Sequence, residues 1–168
     1  TLAPMVDFVA FADVDTNRAA RMFQKFPKVP RYTDYRRMLE AVGKDIDAVA
    51  VSTPDHMHAA AALAAIRMGK HVYCEKPLAH SIAEVRALVA AARDRKVITQ
   101  LGNQGHSAAT IRTFREWIED GAIGAVHTVH AYCRKTHSRI RDLAKLAEKC
   151  EVPPTLDWNL WLGPAPFR

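Results

Sequence analysis

The chain has 168 residues, 49% of them hydrophobic and 25% charged, with a formal net charge of +6 and three cysteines. That length suits one domain with a sizeable core. No apolar run approaches the roughly 18 residues of a spanning helix, so no membrane partner is expected. Cys74, Cys133 and Cys150 are odd in number and form neither a CxxC pair nor a disulfide framework, which points to a reducing compartment.

In chain order, Val6 to Ala12 is a short apolar run leaving through Asp13-Val14-Asp15, as a buried strand does. Thr16 to Phe26 has helical composition and stops before Pro27 and Pro30, and Tyr32 to Ala41 reads as a second short helix with Asp34 as an early acid. Asp47 to Ser52 is a β-branched strand broken by Thr53-Pro54, and Ala59 to Met68 is an alanine-rich helix with Gly69 as its C-terminal cap. His71 to Cys74 is the next strand. Ser81 to Arg95 is an amphipathic helix in which Ser81 and Glu84 complete a capping box. Val97 to Leu101 is a fourth strand, and Ala109 to Asp120 a helix ending near Gly121. Val126 to Cys133 alternates apolar and polar residues, the pattern of a one-sided strand. Leu143 to Lys149 reads as a short helix, and the proline-rich tail beyond it as an extended loop.

Strands alternating with helices of ten to fifteen residues predict parallel βαβ units and an α/β fold. The basic residues are densest from Arg134 to Lys149, where acids interleave with them and no aromatic residue punctuates the run. That is a solvated helix face rather than a single-strand groove, so no nucleic-acid partner is expected.

The chemistry-bearing residues gather at the ends of the predicted strands, where open α/β sheets bind ligands. Lys76 stands in Tyr73-Cys74-Glu75-Lys76-Pro77, fixed between an acid and a proline. A lysine there carries charge into a site or passes a proton; the plain alternative is a surface lysine in a strand-to-helix turn. Ser52-Thr53-Pro54 closes another strand, and Pro54 removes a backbone donor and keeps Thr53 extended, baring polar groups to a ligand. An ordinary turn capped by Asp55 is compatible with the same residues. His56 and His58 make a His-x-His pair, but no cysteine or acid cluster completes a tetrahedral set, so no metal is expected. Gly102-Asn103-Gln104 lets backbone approach a ligand and offers amide groups, with a plain glycine turn as the alternative. Cys74 lies in an apolar strand and reads as a buried, inert thiol.

In Val51-Ser52-Thr53-Pro54, His58, Glu75-Lys76-Pro77, Leu101-Gly102-Asn103-Gln104 and Trp158-Asn159-Leu160-Trp161-Leu162-Gly163-Pro164, the chain resembles the Gfo/Idh/MocA family of nicotinamide-dependent oxidoreductases. The resemblance covers nearly the whole chain. It implies a partial doubly wound, Rossmann-like parallel sheet that lacks its first strand and glycine-rich loop. On this reading residues 1–124 are a partial dinucleotide-binding domain and residues 125–168 the start of a truncated α+β substrate domain. The chain is then expected to be an internal piece of a longer enzyme, with a naturally short homologue as the alternative. It would bind NAD poorly by itself and be inactive, because the pyrophosphate-cradling helix N-terminus is missing.

The resemblance also implies roles. Lys76 lies near nicotinamide and the substrate hydroxyl, with Glu75 and Pro77 fixing its approach. Ser52, Thr53 and Pro54 lie beside the cofactor, His58 sits near it at a helix start, and the Trp158–Trp161 segment folds back towards it. Asn103 is a further contact, although Gly105-His106 stand where many members carry an arginine. Asp13 is the acid that accepts hydrogen bonds from the adenosine ribose, and it favours NAD over NADP because a carboxylate repels a 2′-phosphate.

The function expected is hydride transfer between NAD and a sugar, polyol or related hydroxy compound. The alternative is an NAD-dependent glycoside hydrolase of the same fold with transient redox chemistry. A non-catalytic binding module is a third reading. A cytoplasmic enzyme is expected, although a missing N-terminus leaves an export signal open, and by analogy the full-length protein forms a homo-oligomer.

Overall fold

The computed structural model describes residues 5–132 and 150–166. The expected helix at 143–149 and the basic run at 134–149 lie outside those residues, as do Cys133 and Arg168. The chain gathers into two compact units, one running up to Gly102 and resuming at Val152, the other Asn103–Glu151.

In the first unit the elements are β1 (Phe11–Ala12), α1 (Thr16–Lys25), β2 (Arg31–Tyr32), α2 (Tyr35–Val42), β3 (Ala48–Val51), α3 (His58–Arg67), β4 (His71–Glu75), α4 (Ile82–Arg95) and β5 (Thr99–Gly102). The second unit carries α5 (Ala109–Glu119), and the returning segment carries α6 (Trp158–Leu162). Every strand pair is parallel. β1 pairs with β2, and β3-β4-β5 form a second sheet in that order. Among the described residues the two sheets follow the parts 3-2 and 4-5-6 of the doubly wound order 3-2-1-4-5-6.

Register brings the strand ends level. Val51 lies opposite Cys74, Cys74 opposite Leu101, and Glu75 opposite Gly102. Val51, Val72 and Cys74 point to one face and pack with Ala59, Ala61, Ala62, Ala65, Ile66 and Leu88 of α3 and α4. The alanine side chains of α3 are short enough to let the helix settle closely on the sheet. On the opposite face Ala48, Ala50 and Gln100 remain exposed. A smaller cluster of Met38, Leu39 and Ile46 draws in Val9 and Ala12 beside β2 and Val49 of β3, so α2 bridges the two sheets.

The helix ends follow local chemistry. Ser81 and Glu84 make both halves of the capping box. Gly69 takes φ 76°, and the Lys70 N–H reaches back to the Ala65 carbonyl, closing α3. The Asp15 carboxylate accepts from the backbone N–H groups of Asn17 and Arg18 and caps α1.

Four expectations change. The strand expected at Val6 to Ala12 is a ladder only at Phe11–Ala12, because its partner β2 is two residues long. Tyr32 belongs to β2, and the second helix starts at Tyr35, since Asp34 caps it from outside. Residues 126–132 form no strand, and Val129 and Tyr132 are largely exposed. Alternation alone builds no ladder, and no strand among the described residues pairs with that stretch. The tail is not wholly extended: Asp157 accepts from the Leu160 N–H and starts α6.

Asp34 offers a direct test of these caps. Its carboxylate takes the Arg36 backbone N–H at 2.9 Å and the Arg36 guanidinium at 2.7 Å. The Arg36 side chain holds the Asp34 carboxyl below its usual value, against a smaller upward push from burial. Because the folded state lowers this group's proton affinity, its stabilisation is present above the unfolded value and lost as pH falls through the folded one. Asp34→Ala should cost about 1 kcal/mol at neutral pH in urea unfolding. The gap between wild type and variant should shrink as pH falls below the usual carboxylate range and the Asp34 carboxyl takes up its proton.

Candidate functional site

The carboxyl ends of β1, β3, β4 and β5 bring most of the sequence-derived residues to one edge of the first unit. Asp13 follows β1, and its Oδ1 accepts from the Asp15 N–H at 2.9 Å. It lines a cavity of about 230 Å³ with Thr16, Phe23, Arg31, Tyr32 and Thr33. The Arg31 guanidinium donates to the Phe23 carbonyl at 2.9 Å and lies 4.9 Å from the Phe23 ring centroid.

Ser52, Thr53 and Pro54 follow β3. Ser52 is exposed, while Thr53 and Pro54 are half-buried. The Thr53 Oγ1 is buried and has no hydrogen-bond partner among the described residues. A buried hydroxyl left unpaired costs on the order of 1–3 kcal/mol, so an orphan at a sheet edge fits a group that a ligand completes.

β4 delivers Glu75 half-buried and Lys76 exposed, with a cis bond between Lys76 and Pro77. Tyr73 donates to the Glu75 carboxylate at 3.3 Å. Burial, followed by the Glu75 charge, holds the Tyr73 hydroxyl above its ordinary value, which keeps it a donor. Cys74 faces the core, where burial, followed by the Glu75 charge, pushes its thiol up to about 11. It remains a thiol rather than a nucleophilic thiolate.

His56 and His58 part company. The His56 Nε2 lies 2.8 Å from the Trp161 carbonyl, and its ring meets the Trp161 ring edge-on at 5.0 Å. The His58 ring is buried, with Nε2 2.9 Å from the Thr53 carbonyl and Nδ1 against the Pro77 carbonyl. Both nitrogens of the His58 ring therefore lie against backbone carbonyls. Asn103 is exposed and falls in the second unit.

The returning segment lies along the same edge. Asp157 N–H donates to the Val14 carbonyl at 2.8 Å, Thr16 N–H to the Thr155 carbonyl at 3.0 Å, and Asp15 bridges Leu156. Trp158 and Trp161 stack with centroids 4.9 Å apart and planes 8° from parallel. Two features were not anticipated from sequence. The Arg31 wall was hidden because β2 is too short to show alternation, while the Tyr73–Glu75 pair was signalled by their i, i+2 spacing on one strand face.

Residues 2–103 match the family model described as the Oxidoreductase family, NAD-binding Rossmann fold (GFO_IDH_MocA). Among curated proteins the chain is 43% identical over 102 residues to a 1,5-anhydro-D-fructose reductase from Ensifer adhaerens, covering 58% of this chain and 31% of that protein. It is 28% identical over 149 residues to a myo-inositol 2-dehydrogenase from Thermotoga maritima, covering 89% and 40%. Among solved structures, KijD10, a 3-ketoreductase from Actinomadura kijaniata in complex with TDP-benzene and NADP, superposes with a TM-score of 0.62 at 30% identity, covering 70% of this chain and 36% of that one. The chain thus spans roughly 30–40% of the length of these relatives. With a family match across well over half of its residues, and its parallel strands in the order that family's name implies, the chain belongs to the NAD-binding Rossmann oxidoreductases of the Gfo/Idh/MocA type.

Proposed function

We propose that the chain holds the cofactor edge of an NAD-dependent dehydrogenase acting on a sugar, polyol or related hydroxy compound. The observation that carries this reading is the buried, partnerless Thr53 Oγ1, one strand away from Lys76 on a shared carboxyl edge. Relatives named as a sugar-derivative reductase and an inositol dehydrogenase support the substrate class.

Asp13 accepts from the adenosine ribose hydroxyls beside the Arg31 wall. NAD is preferred over NADP, since the Asp13 carboxylate repels a 2′-phosphate and the Arg31 guanidinium is engaged by Phe23. Ser52, Thr53 and Pro54 line the cofactor, and the Thr53 hydroxyl bonds it. Asn103 adds a polar contact. When bound, nicotinamide supplies the hydride acceptor or donor.

The remaining work falls to Lys76. An alcohol that loses hydride must also lose its hydroxyl proton. Lys76 stands beside that hydroxyl, where it assists the proton's transfer and stabilises the developing alkoxide. Glu75, held by Tyr73, aims the turn that carries the amine. His58 serves the cofactor edge through the Thr53 carbonyl rather than by direct contact.

Two outcomes test this reading. The full-length enzyme is incubated with NAD and a panel of sugars, polyols and aryl glycosides, following nicotinamide absorbance and aglycone release together. Net NADH on a free sugar or polyol is expected, whereas aglycone release without net NADH would contradict it. Lys76→Ala should lower turnover about a hundredfold or more while NADH affinity changes little.

Gly102 supplies the second outcome. A Cβ there would stand 2.7 Å from the Tyr73 hydroxyl and 2.8 Å from the Glu75 Oε2. Both are far ends of side chains, so they move while β5 stays paired. Gly102→Ala should melt within a few degrees of wild type yet lose about tenfold in turnover as Glu75 shifts.

A further inference from the structure

We propose that His58 is a positioning residue that ties the Ser52-Thr53-Pro54 turn to the Glu75-Lys76-Pro77 turn, so that the Thr53 hydroxyl and the Lys76 amine keep one spacing. Among the described residues His58 is the one polar or charged side chain in the buried set, at 1% exposure. Burying an imidazole is costly unless its nitrogens find partners. Here both do, and both partners are backbone carbonyls: Thr53 at the exit of β3, Pro77 at the exit of β4. Carbonyl oxygens only accept, so the ring holds both turns by hydrogen bonds in the form that carries a hydrogen on each nitrogen.

Those carbonyls belong to separate turns after neighbouring strands. Apolar packing does not explain a nitrogen at each end of the ring, because a phenyl ring would fill the same space. The placement at the first residue of α3 lets one side chain reach back to Thr53 and across to Pro77. The turns flanking the site are thereby joined through a single ring. The meaning for catalysis rests on the proposed NAD-linked function; the tie between the turns does not.

The experiment compares wild type, His58→Phe and His58→Gln by amide hydrogen exchange, NADH fluorescence titration and NAD-linked turnover. His58→Phe keeps the volume and removes both nitrogens. Exchange at Ser52 and Thr53 and at Lys76 and Leu78 should rise together by about tenfold or more, with α3 and β4 unchanged. Turnover number should fall about tenfold while KM for NAD moves less than about threefold. His58→Gln, whose amide retains donors, should recover most of the protection at both turns. If His58→Phe does not fold, His58→Asn, too short to span both carbonyls, should show the same joint loss.

A folded variant with both turns still protected, or exchange raised equally across α3 and β4, would overturn the proposal. Full-length wild type that neither binds NADH nor turns over with NAD would sink the functional reading, and the exchange comparison would still decide the tie.

Discussion

Parallel pairing in unbroken register is the constraint on which the site depends. Parallel strands end on the same side of their sheet, so the chain after each strand must turn at a common edge before its helix carries it back. Val51, Cys74 and Leu101 stand at one level across β3, β4 and β5. Thr53, Lys76 and Gly102 then follow at fixed offsets from that level. A slip of one residue in β4 would exchange the core-facing Cys74 for Tyr73 or Glu75 and bury a carboxylate. The apolar cost of that slip holds the register, and the register holds the chemistry.

The edge is polar where it must meet a ligand and closed where it meets the core. α3 begins there with His58 and continues with alanines that sink into the sheet. The backbone carbonyls of Thr53 and Pro77 are satisfied inward by the His58 ring, while the Thr53 hydroxyl is left without a partner. On the β1 side, Asp13 and the Arg31 guanidinium frame a second polar station. The segment through Thr155, Asp157 and Trp161 is hydrogen-bonded to both the β1 exit and His56, so it fastens two parts of the edge that share no strand pairing.

Features set by neighbours in sequence were legible before any coordinates. The Ser81–Glu84 capping box, the Gly69 cap and the βαβ alternation from Asp47 to Leu101 depend on spacing within a few residues. Features set by partners far along the chain were not. β2 is two residues whose strand character comes wholly from pairing with β1, and α6 forms where Asp157 meets Val14. The site divides the same way. Motif residues marked the positions of Lys76, Thr53 and Asp13, but only the fold shows that His58 turns both nitrogens inward and that Arg31 stands beside Asp13. A sequence records which side chain follows a strand. It does not record which carbonyl that side chain will meet.

The central claim is that this edge completes itself with a dinucleotide, and a crystal structure of the full-length protein soaked with NAD tests it most directly. The account predicts an atom of the cofactor within hydrogen-bonding distance of the Thr53 Oγ1, the ribose hydroxyls on Asp13, and the nicotinamide beside Lys76. A bound NAD that leaves the Thr53 hydroxyl unpartnered and lies away from Lys76 would contradict it.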